Sequence, residues 1–165
     1  MRMNKVVAVT TPNDMKVVED LAGTIWNESY RNIISRDQID YMLEKFQSYA
    51  AIRDSISSGA LYFILSYEGR NAGYFAVAPE GDRLFLSKIY VLFEYRRRGI
   101  ASFAIGHLMR FCSTNRFKSM YLTVNRMNTG SIEFYRKNGF KIIEDRITDI
   151  GNGFVMDDYV MELRL

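Results

Sequence analysis

The chain has 165 residues, of which 48% are hydrophobic and 25% are charged. This length and balance are typical of a globular protein with a full hydrophobic core, and we expect a single domain over residues 1–165. One cysteine and one histidine exclude an internal disulfide and disfavour a structural metal site, so no metal is expected. The lone cysteine favours a reducing compartment such as the cytoplasm, and no apolar run reaches the ~18 residues of a membrane span.

Charge is divided unevenly along the chain, whose formal net charge is +3. Residues 1–83 carry 9 Lys+Arg and 11 Asp+Glu, whereas residues 84–165 carry 13 and 8. The second half is therefore basic, which favours an anionic ligand. Nucleic acid is one such ligand, but the sequence contains no recognisable nucleic-acid-binding module.

The first third of the chain predicts one strand followed by three helices. A valine-rich strand is expected over residues 5–10. Thr11 is suited to cap a first helix, and Ser35 opens a second helix with a capping box. A third, short helix is predicted over residues 49–58, where Gly59 ends it.

Strands and helices then alternate. Strands are predicted over residues 60–67, 73–78 and 84–93, joined by tight turns. A helix is expected to follow as far as about residue 116, then a strand over residues 120–124 and a further helix. The part of the chain from Ser87 to Phe140 is thus a β-α-β-α unit, whose two strands should lie parallel.

Two strands complete the prediction, one over residues 141–145 and one over residues 154–165, with a turn over residues 149–153 between them. The resulting order of elements predicts an α/β protein with a mixed sheet flanked by helices.

A basic turn lies between the strand that ends at Phe93 and the helix that follows. Arg96, Arg97 and Arg98 stand directly before Gly99. Main-chain N–H groups at a helix start can bind a phosphate, small residues let it approach, and arginine adds matching charge. The alternative is a solvated basic turn that only caps the helix. The phosphate-binding signatures of nucleoside triphosphatases and of dinucleotide enzymes are absent.

Two motifs in this unit resemble those of one enzyme family. The run from Arg96 to Ala101 resembles the Gln/Arg-x-x-Gly-x-Gly/Ala signature of the GCN5-related N-acetyltransferases (GNAT). The run from Val124 to Phe140 resembles that family's second signature, an Asn that begins a helix and a Phe-Tyr pair followed by Gly-Phe. Both motifs occur in the family's order, separated by one helix and one strand.

The resemblance implies a GNAT-like fold, in which a mixed, mostly antiparallel sheet of about six or seven strands is flanked by helices and strands four and five splay apart. It also implies transfer of an acetyl group from acetyl-CoA directly to a primary amine of a small molecule or peptide. Tyr135 matches the family's acid, which protonates the departing thiolate; the alternative is that Phe134 and Tyr135 only pack the helix. The cofactor contacts that the resemblance implies are Ile89, Tyr90 and Val91 through their main chain, and Arg96, Arg97, Arg98, Gly99, Ile100, Ala101, Asn128, Ser131 and Tyr135.

The sequence does not identify the acceptor amine or the general base. Glu28, Asp157 and Asp158 are candidate substrate-binding residues and, with Glu80, candidate bases. No nucleophile pair is evident, because the lone histidine and cysteine lie five residues apart on one helix and would not share a face. A non-catalytic acyl-CoA sensor and a basic nucleic-acid-binding module are the rival interpretations, and a homodimer is compatible with the sequence.

Overall fold

A computed structural model describes residues 3–165 of the chain. In this part of the chain seven strands form one sheet: β1 (Asn4–Ala8), β2 (Leu61–Tyr67), β3 (Arg70–Glu80), β4 (Arg83–Val91), β5 (Ser119–Asn125), β6 (Lys141–Gly151) and β7 (Phe154–Arg164). The helices of the same region are α1 (Pro12–Ser29), α2 (Arg36–Gln47), α3 (Tyr49–Ser57), α4 (Ile100–Thr114) and α5 (Thr129–Lys137), and a 3₁₀ turn covers Phe93–Tyr95. None of these helices combines the length and the apolar character needed to cross a membrane.

The strand order is β1-β2-β3-β4-β5-β7-β6, and every neighbouring pair is antiparallel except β4 and β5. The parallel pair is short, because only Arg83–Phe85 of β4 lie in register with Ser119–Tyr121 of β5. Beyond Phe85 the two strands separate while β4 stays paired with β3. The predicted fold class, including the splayed fourth and fifth strands, is confirmed.

Each face of the sheet carries its own hydrophobic core. On one face, α4 and α5 pack against residues such as Leu86, Leu122 and Met161. On the other face, α1, α2 and α3 pack against residues such as Ile64 and Tyr74. We call these two sides the α4/α5 face and the α1/α2 face.

A β-bulge in β4 decides which side chains reach each face near the splay. Val77 of β3 pairs with Leu86 and Ala76 pairs with Lys88, so Ser87 is the additional residue. A bulge shifts the alternation of a strand by one residue. After it, Lys88 and Tyr90 lie on the α1/α2 face, whereas unbroken alternation from Leu86 would have placed them on the α4/α5 face.

Some boundaries differ from the sequence-based prediction. β6 continues to Gly151, because Asn152 and Gly153, with φ of 55° and 79°, make the hairpin turn without the three residues before them. Ser35 does cap α2, since its hydroxyl accepts the Gln38 N–H at 3.1 Å. The predicted capping box does not close, because the Gln38 side chain donates instead to the Val155 carbonyl of β7 at 3.0 Å.

Candidate active site

A cleft of about 650 Å³ opens where β4 and β5 separate. Its walls come from the ends of both strands, the C-terminal end of α1, the basic turn, the start of α4 and one side of α5. Leu122 and Val124 of β5 belong to the α4/α5 core, whereas Tyr30 and Tyr90 lie on the α1/α2 side. The cleft is therefore lined from both faces of the sheet.

The start of α4 offers main-chain donors to the cleft. Gly99 is the N-cap residue, with φ of 76° in the left-handed region that suits glycine, and a Cβ there would meet open space. Its missing side chain leaves the first N–H groups of α4 without a side-chain acceptor, and Ile100, Ala101 and Ser102 line the cleft. By contrast, α1, α2, α3 and α5 each have a side-chain cap, from Thr11, Ser35, Ser48 and Asn128. The uncapped N–H groups and the helix dipole together suit an anion.

The three arginines of the basic turn have different surroundings. Arg97 is exposed and lines the cleft. Arg96 also lines it, but donates to the Ser29 hydroxyl at 2.6 Å and so connects the turn to the end of α1. Arg98 does not line the cleft, because its guanidinium lies 5.6 Å from the ring centre of Tyr67.

The end of β4 presents one edge to the cleft. Ile89, Tyr90 and Val91 are paired with β3 on their other edge, where Val91 lies opposite Gly73. A Cβ on Gly73 would collide with the carbonyl oxygen of Tyr90, so glycine allows β3 to approach this closely. Since β5 has already diverged, main-chain groups on the cleft side of β4 are available to an extended ligand.

Helix α5 places Asn128, Ser131 and Tyr135 along the same cleft. Asn128 caps the helix, with its Oδ1 accepting the Ser131 N–H at 3.3 Å. Tyr135 is 8% exposed and packs edge-on against Phe134 and Phe140. Burial, and to a smaller degree the nearby Tyr30, raise the pKa of the Tyr135 phenol, which therefore keeps its proton at neutral pH.

An aromatic group lies on the α1/α2 side of the cleft. Tyr30, at the C-terminal end of α1, packs against Trp26 at 4.6 Å and Tyr90 at 6.5 Å between ring centres. Tyr74 extends the group on β3, 5.5 Å from Tyr90. Sequence reasoning missed Tyr30 as a site residue, because its only local signal was its place at the end of a predicted helix.

The carboxylates predicted to bind the substrate or to act as the base have different surroundings. Glu28 lines the cleft, although its carboxylate accepts a main-chain N–H just after β4 at 3.1 Å. Asp157 is exposed and paired with Arg126 at 3.1 Å. Glu80 accepts the Tyr121 hydroxyl at 2.7 Å, beside the turn that begins β4, so it lies at the opposite end of that strand from the cleft. This position does not support Glu80 as the base.

Asp158 differs from these three carboxylates. It does not line the cleft, is 4% exposed, and its Oδ1 has no hydrogen-bond partner among the described residues. Burial, and then the neighbouring Asp157, raise the pKa of this carboxyl to about 6. His107 and Cys112 lie outside the cleft, as expected of structural residues.

Comparison with known proteins places the chain in a family. The family model described as the acetyltransferase (GNAT) family matches residues 23–140. The N-alpha-acetyltransferase 50 of Danio rerio is 27% identical over 137 residues, which are 82% of this chain and 74% of that protein. The spermidine N(1)-acetyltransferase of Thermoplasma acidophilum is 24% identical over 149 residues, which are 87% of this chain and 90% of that protein.

Solved structures share the fold along nearly the whole chain. The PaiA N-acetyltransferase of Thermoplasma acidophilum, solved with coenzyme A, superposes with a TM-score of 0.81 at 18% identity and 99% coverage of both chains. The ribosomal-protein-S18-alanine N-acetyltransferase of Escherichia coli gives a TM-score of 0.74 at 18% identity, covering 98% of this chain and 94% of that one. The predictions of the family, the enzyme class and acetyl-CoA as the acetyl donor are thereby confirmed. The chain belongs to the acetyltransferase (GNAT) family.

Proposed function

We propose that the protein transfers an acetyl group from acetyl-CoA directly to a primary amine of a small molecule or peptide, with both substrates meeting in the cleft between β4 and β5. The observation that carries this proposal is that the cleft reaches both faces of the sheet. One side offers an uncapped helix start, arginines and an unpaired strand edge. The other offers aromatic side chains close to a carboxylate. An anionic, extended donor and a cationic acceptor fit these two sides respectively.

The residues of the α4/α5 side fit acetyl-CoA. The edge of β4 at Ile89, Tyr90 and Val91 can pair with the amide groups of its extended arm. The pyrophosphate fits the start of α4, where the main chain has no competing cap and Gly99 leaves space. We assign the remaining contacts to Arg96, Arg97, Ile100, Ala101, Asn128, Ser131 and Tyr135. Arg98 has no place in this set, because its guanidinium packs on tyrosines outside the cleft.

Tyr135 is the proposed proton donor to the thiolate that leaves. The donor supplies an activated thioester carbonyl, and the amine supplies the nucleophile, so no covalent intermediate with the protein is required. Tyr135 lines the cleft beside Asn128 and Ser131 of α5, and its phenol carries a proton at neutral pH. Burial raises the pKa of this phenol, which weakens it as an acid, so the proposed role rests on its position along the cleft.

The acceptor is proposed to approach from the α1/α2 side. The curated relatives are named for N-alpha-acetyl transfer and for spermidine, which supports an amine as the acceptor class. Glu28 and Asp158 are the carboxylates proposed to attract it. We assign Asp157 no contact with the acceptor, because its carboxylate is exposed and already paired with Arg126.

Two measurements test the proposal in sequence. Acetyl-CoA at a hundredfold excess over its dissociation constant should stabilise the fold by about 2.7 kcal/mol, which is visible as a thermal shift. Release of free CoA is then followed with a panel of peptides, polyamines, amino sugars and amino acids. The absence of any thermal shift would overturn the proposal. A shift without CoA release from any acceptor would favour the acyl-CoA sensor, and salt-dependent binding of nucleic acid that CoA does not compete would favour the third interpretation.

A further inference from the structure

The buried carboxylate of Asp158 has no structural role that its surroundings explain. We infer that Asp158 receives the acceptor's ammonium group on the α1/α2 side of the cleft and takes one of its protons before the amine attacks. This inference rests on the proposed function, which it deepens by naming the base and the chemical class of the acceptor.

The register of the sheet places Asp158 on the required side. It lies directly opposite Asn125, the last residue of β5. Residues directly opposite one another on paired strands project to the same face. Thr123, two residues earlier on β5, projects to that face as well and lines the cleft. Asp158 therefore lies beside the C-terminal end of β5, where the strand has separated from β4.

The Asp158 carboxylate is buried with one oxygen lacking a hydrogen-bond partner among residues 3–165. The residue is 4% exposed, and the oxygen is Oδ1. Arg126 forms ion pairs with Asp157 and Asp145, each at 3.1 Å. Arg146 lies opposite Asp158 on β6, and its charge partly offsets the rise in the pKa of Asp158, but its guanidinium donates to Glu144 at 2.8 Å and makes no hydrogen bond to Asp158. Buried polar groups are nearly always hydrogen-bonded, so this oxygen is suited to a partner that arrives with a ligand.

The groups around Asp158 favour an alkylammonium ion. Burial raises the pKa of the Tyr30 hydroxyl at the end of α1, and the charge of the nearby Asp158 raises it further. Tyr30 also lines the cleft and packs against Tyr90. A carboxylate next to aromatic faces attracts a compact cation that carries apolar substituents. This favours an aliphatic primary amine over an anionic or aromatic one.

Each proton in the proposed step has a donor and an acceptor. One ammonium proton passes to the Asp158 carboxylate, which leaves a neutral amine with a free electron pair. That pair forms the new C–N bond as the C–S bond breaks, and the thiolate takes the phenolic proton of Tyr135. Tyr135 regains a proton from the acetylated nitrogen, and Asp158 releases its proton to solvent. Burial raises the pKa of Asp158 to about 6, which leaves it ionised at neutral pH and a stronger base than an ordinary aspartate.

The experiment compares acceptors that do and do not need a base. The acceptors are spermidine and a peptide with a free α-amine, which are ammonium ions at pH 7.5, and hydroxylamine, which is already neutral at that pH. The variants are Asp158→Asn and the control Asp157→Asn. Each protein is assayed for CoA release with saturating acetyl-CoA, and acetyl-CoA binding is measured by thermal shift.

For Asp158→Asn we expect a loss of at least a hundredfold in kcat/KM with whichever ammonium acceptors are substrates, and a change of less than fivefold with hydroxylamine. Asp157→Asn should stay within threefold with every acceptor, and both variants should keep the thermal shift with acetyl-CoA. Equal losses with ammonium acceptors and hydroxylamine, or no loss with either, would overturn the inference while leaving the proposed function intact. A wild-type protein that binds acetyl-CoA but acetylates none of these acceptors and none of the panel of peptides, polyamines, amino sugars and amino acids would overturn both.

Discussion

The two sides of the cleft are built in opposite ways. The α4/α5 side comes from one continuous segment, residues 87–140, and presents main-chain donors and exposed positive charge. The α1/α2 side brings together Tyr30 and Tyr90, which line the cleft, and Asp158, which is buried beside the end of β5. These residues are 60 and 68 positions apart along the chain. The proposed donor side therefore follows a local motif, whereas the proposed acceptor side depends on how distant elements pack.

The two sides should affect the stability of the free protein differently. Exposed arginines and helix N–H groups are solvated until a ligand arrives, so the α4/α5 side needs little compensation in the free protein. A buried carboxylate without a partner destabilises the free protein. Removal of the Asp158 carboxylate should therefore lower activity while raising stability, a trade-off that is common at functional sites.

The largest expected effect belongs to Tyr135, which lies where the two sides meet. Tyr135→Phe keeps the ring and its contacts with Phe134 and Phe140, but removes the phenolic proton. General acid catalysis contributes about 10²–10⁴-fold, so kcat should fall within that range while acetyl-CoA binding and the melting temperature change little. Steady-state kinetics with a chemistry-limited acceptor measure the effect. A loss confined to KM would show that the hydroxyl only positions a substrate.

The second effect concerns the stability of the free protein. The pKa of Asp158 is about 6 in the folded chain, compared with the reference value of 3.8. Between these values the folded state binds more protons than the unfolded state, so the free energy of unfolding falls as pH rises through this window. Above pH 6 the destabilisation is complete, at up to about 3 kcal/mol. Asp158→Asn should therefore be more stable than the wild type at pH 7.5, with the difference fading towards pH 4.

Urea denaturation at several pH values measures this change, with Asp157→Asn as the control. The Asp157 side chain is 51% exposed and paired with Arg126, so its replacement should change the free energy of unfolding by no more than about 1 kcal/mol. If Asp158→Asn proved less stable than the wild type at pH 7.5, the carboxylate would have an unrecognised structural partner.

The third effect tests the helix start on the α4/α5 side. Gly99→Glu places an anion where the pyrophosphate is proposed to bind, so the affinity for acetyl-CoA should fall at least tenfold, or about 1.4 kcal/mol. Gly81→Glu is the matched control, because Gly81 also has a positive φ, of 62°, and open space at its Cβ, but lies in the turn before β4. Calorimetric titration compares the two folded variants. Equal affinities would mean that the phosphates bind elsewhere.

The smallest effect separates two neighbouring arginines. Arg97 lines the cleft, whereas Arg98 packs over Tyr67 and Tyr95. Arg97→Met should weaken acetyl-CoA binding about fivefold, which corresponds to the loss of about 1 kcal/mol from a charged hydrogen bond. Arg98→Met should change the affinity less than twofold. The same titration at low and high salt should show a reduced salt dependence for Arg97→Met, and a larger effect of Arg98→Met would contradict this assignment.

Much of the α4/α5 side was predictable because its signals are local. The order of elements from Ser87 to Phe140, the parallel pair β4 and β5, and the cap at Asn128 follow from patterns a few residues long. The turn at Gly99 also lies where the motif indicates. The end of β6 was predicted six residues too early, because alternation is weak along a strand whose residues from Ile143 to Asp149 are all exposed.

The sequence by itself determined the family, the fold class and the acetyl donor, and it indicated the helix start that we propose for the phosphates, because each depends on residues close together in the chain. Only the tertiary structure decided that Arg98 turns away from the cleft, that the bulge at Ser87 directs Tyr90 towards α1, and that Glu80 lies at the far end of β4. It also distinguished Asp158 from Asp157. Adjacent residues on a strand point to opposite faces, so one carboxylate reaches solvent and Arg126 while the other is buried, and the choice depends on the register of β7 against β5.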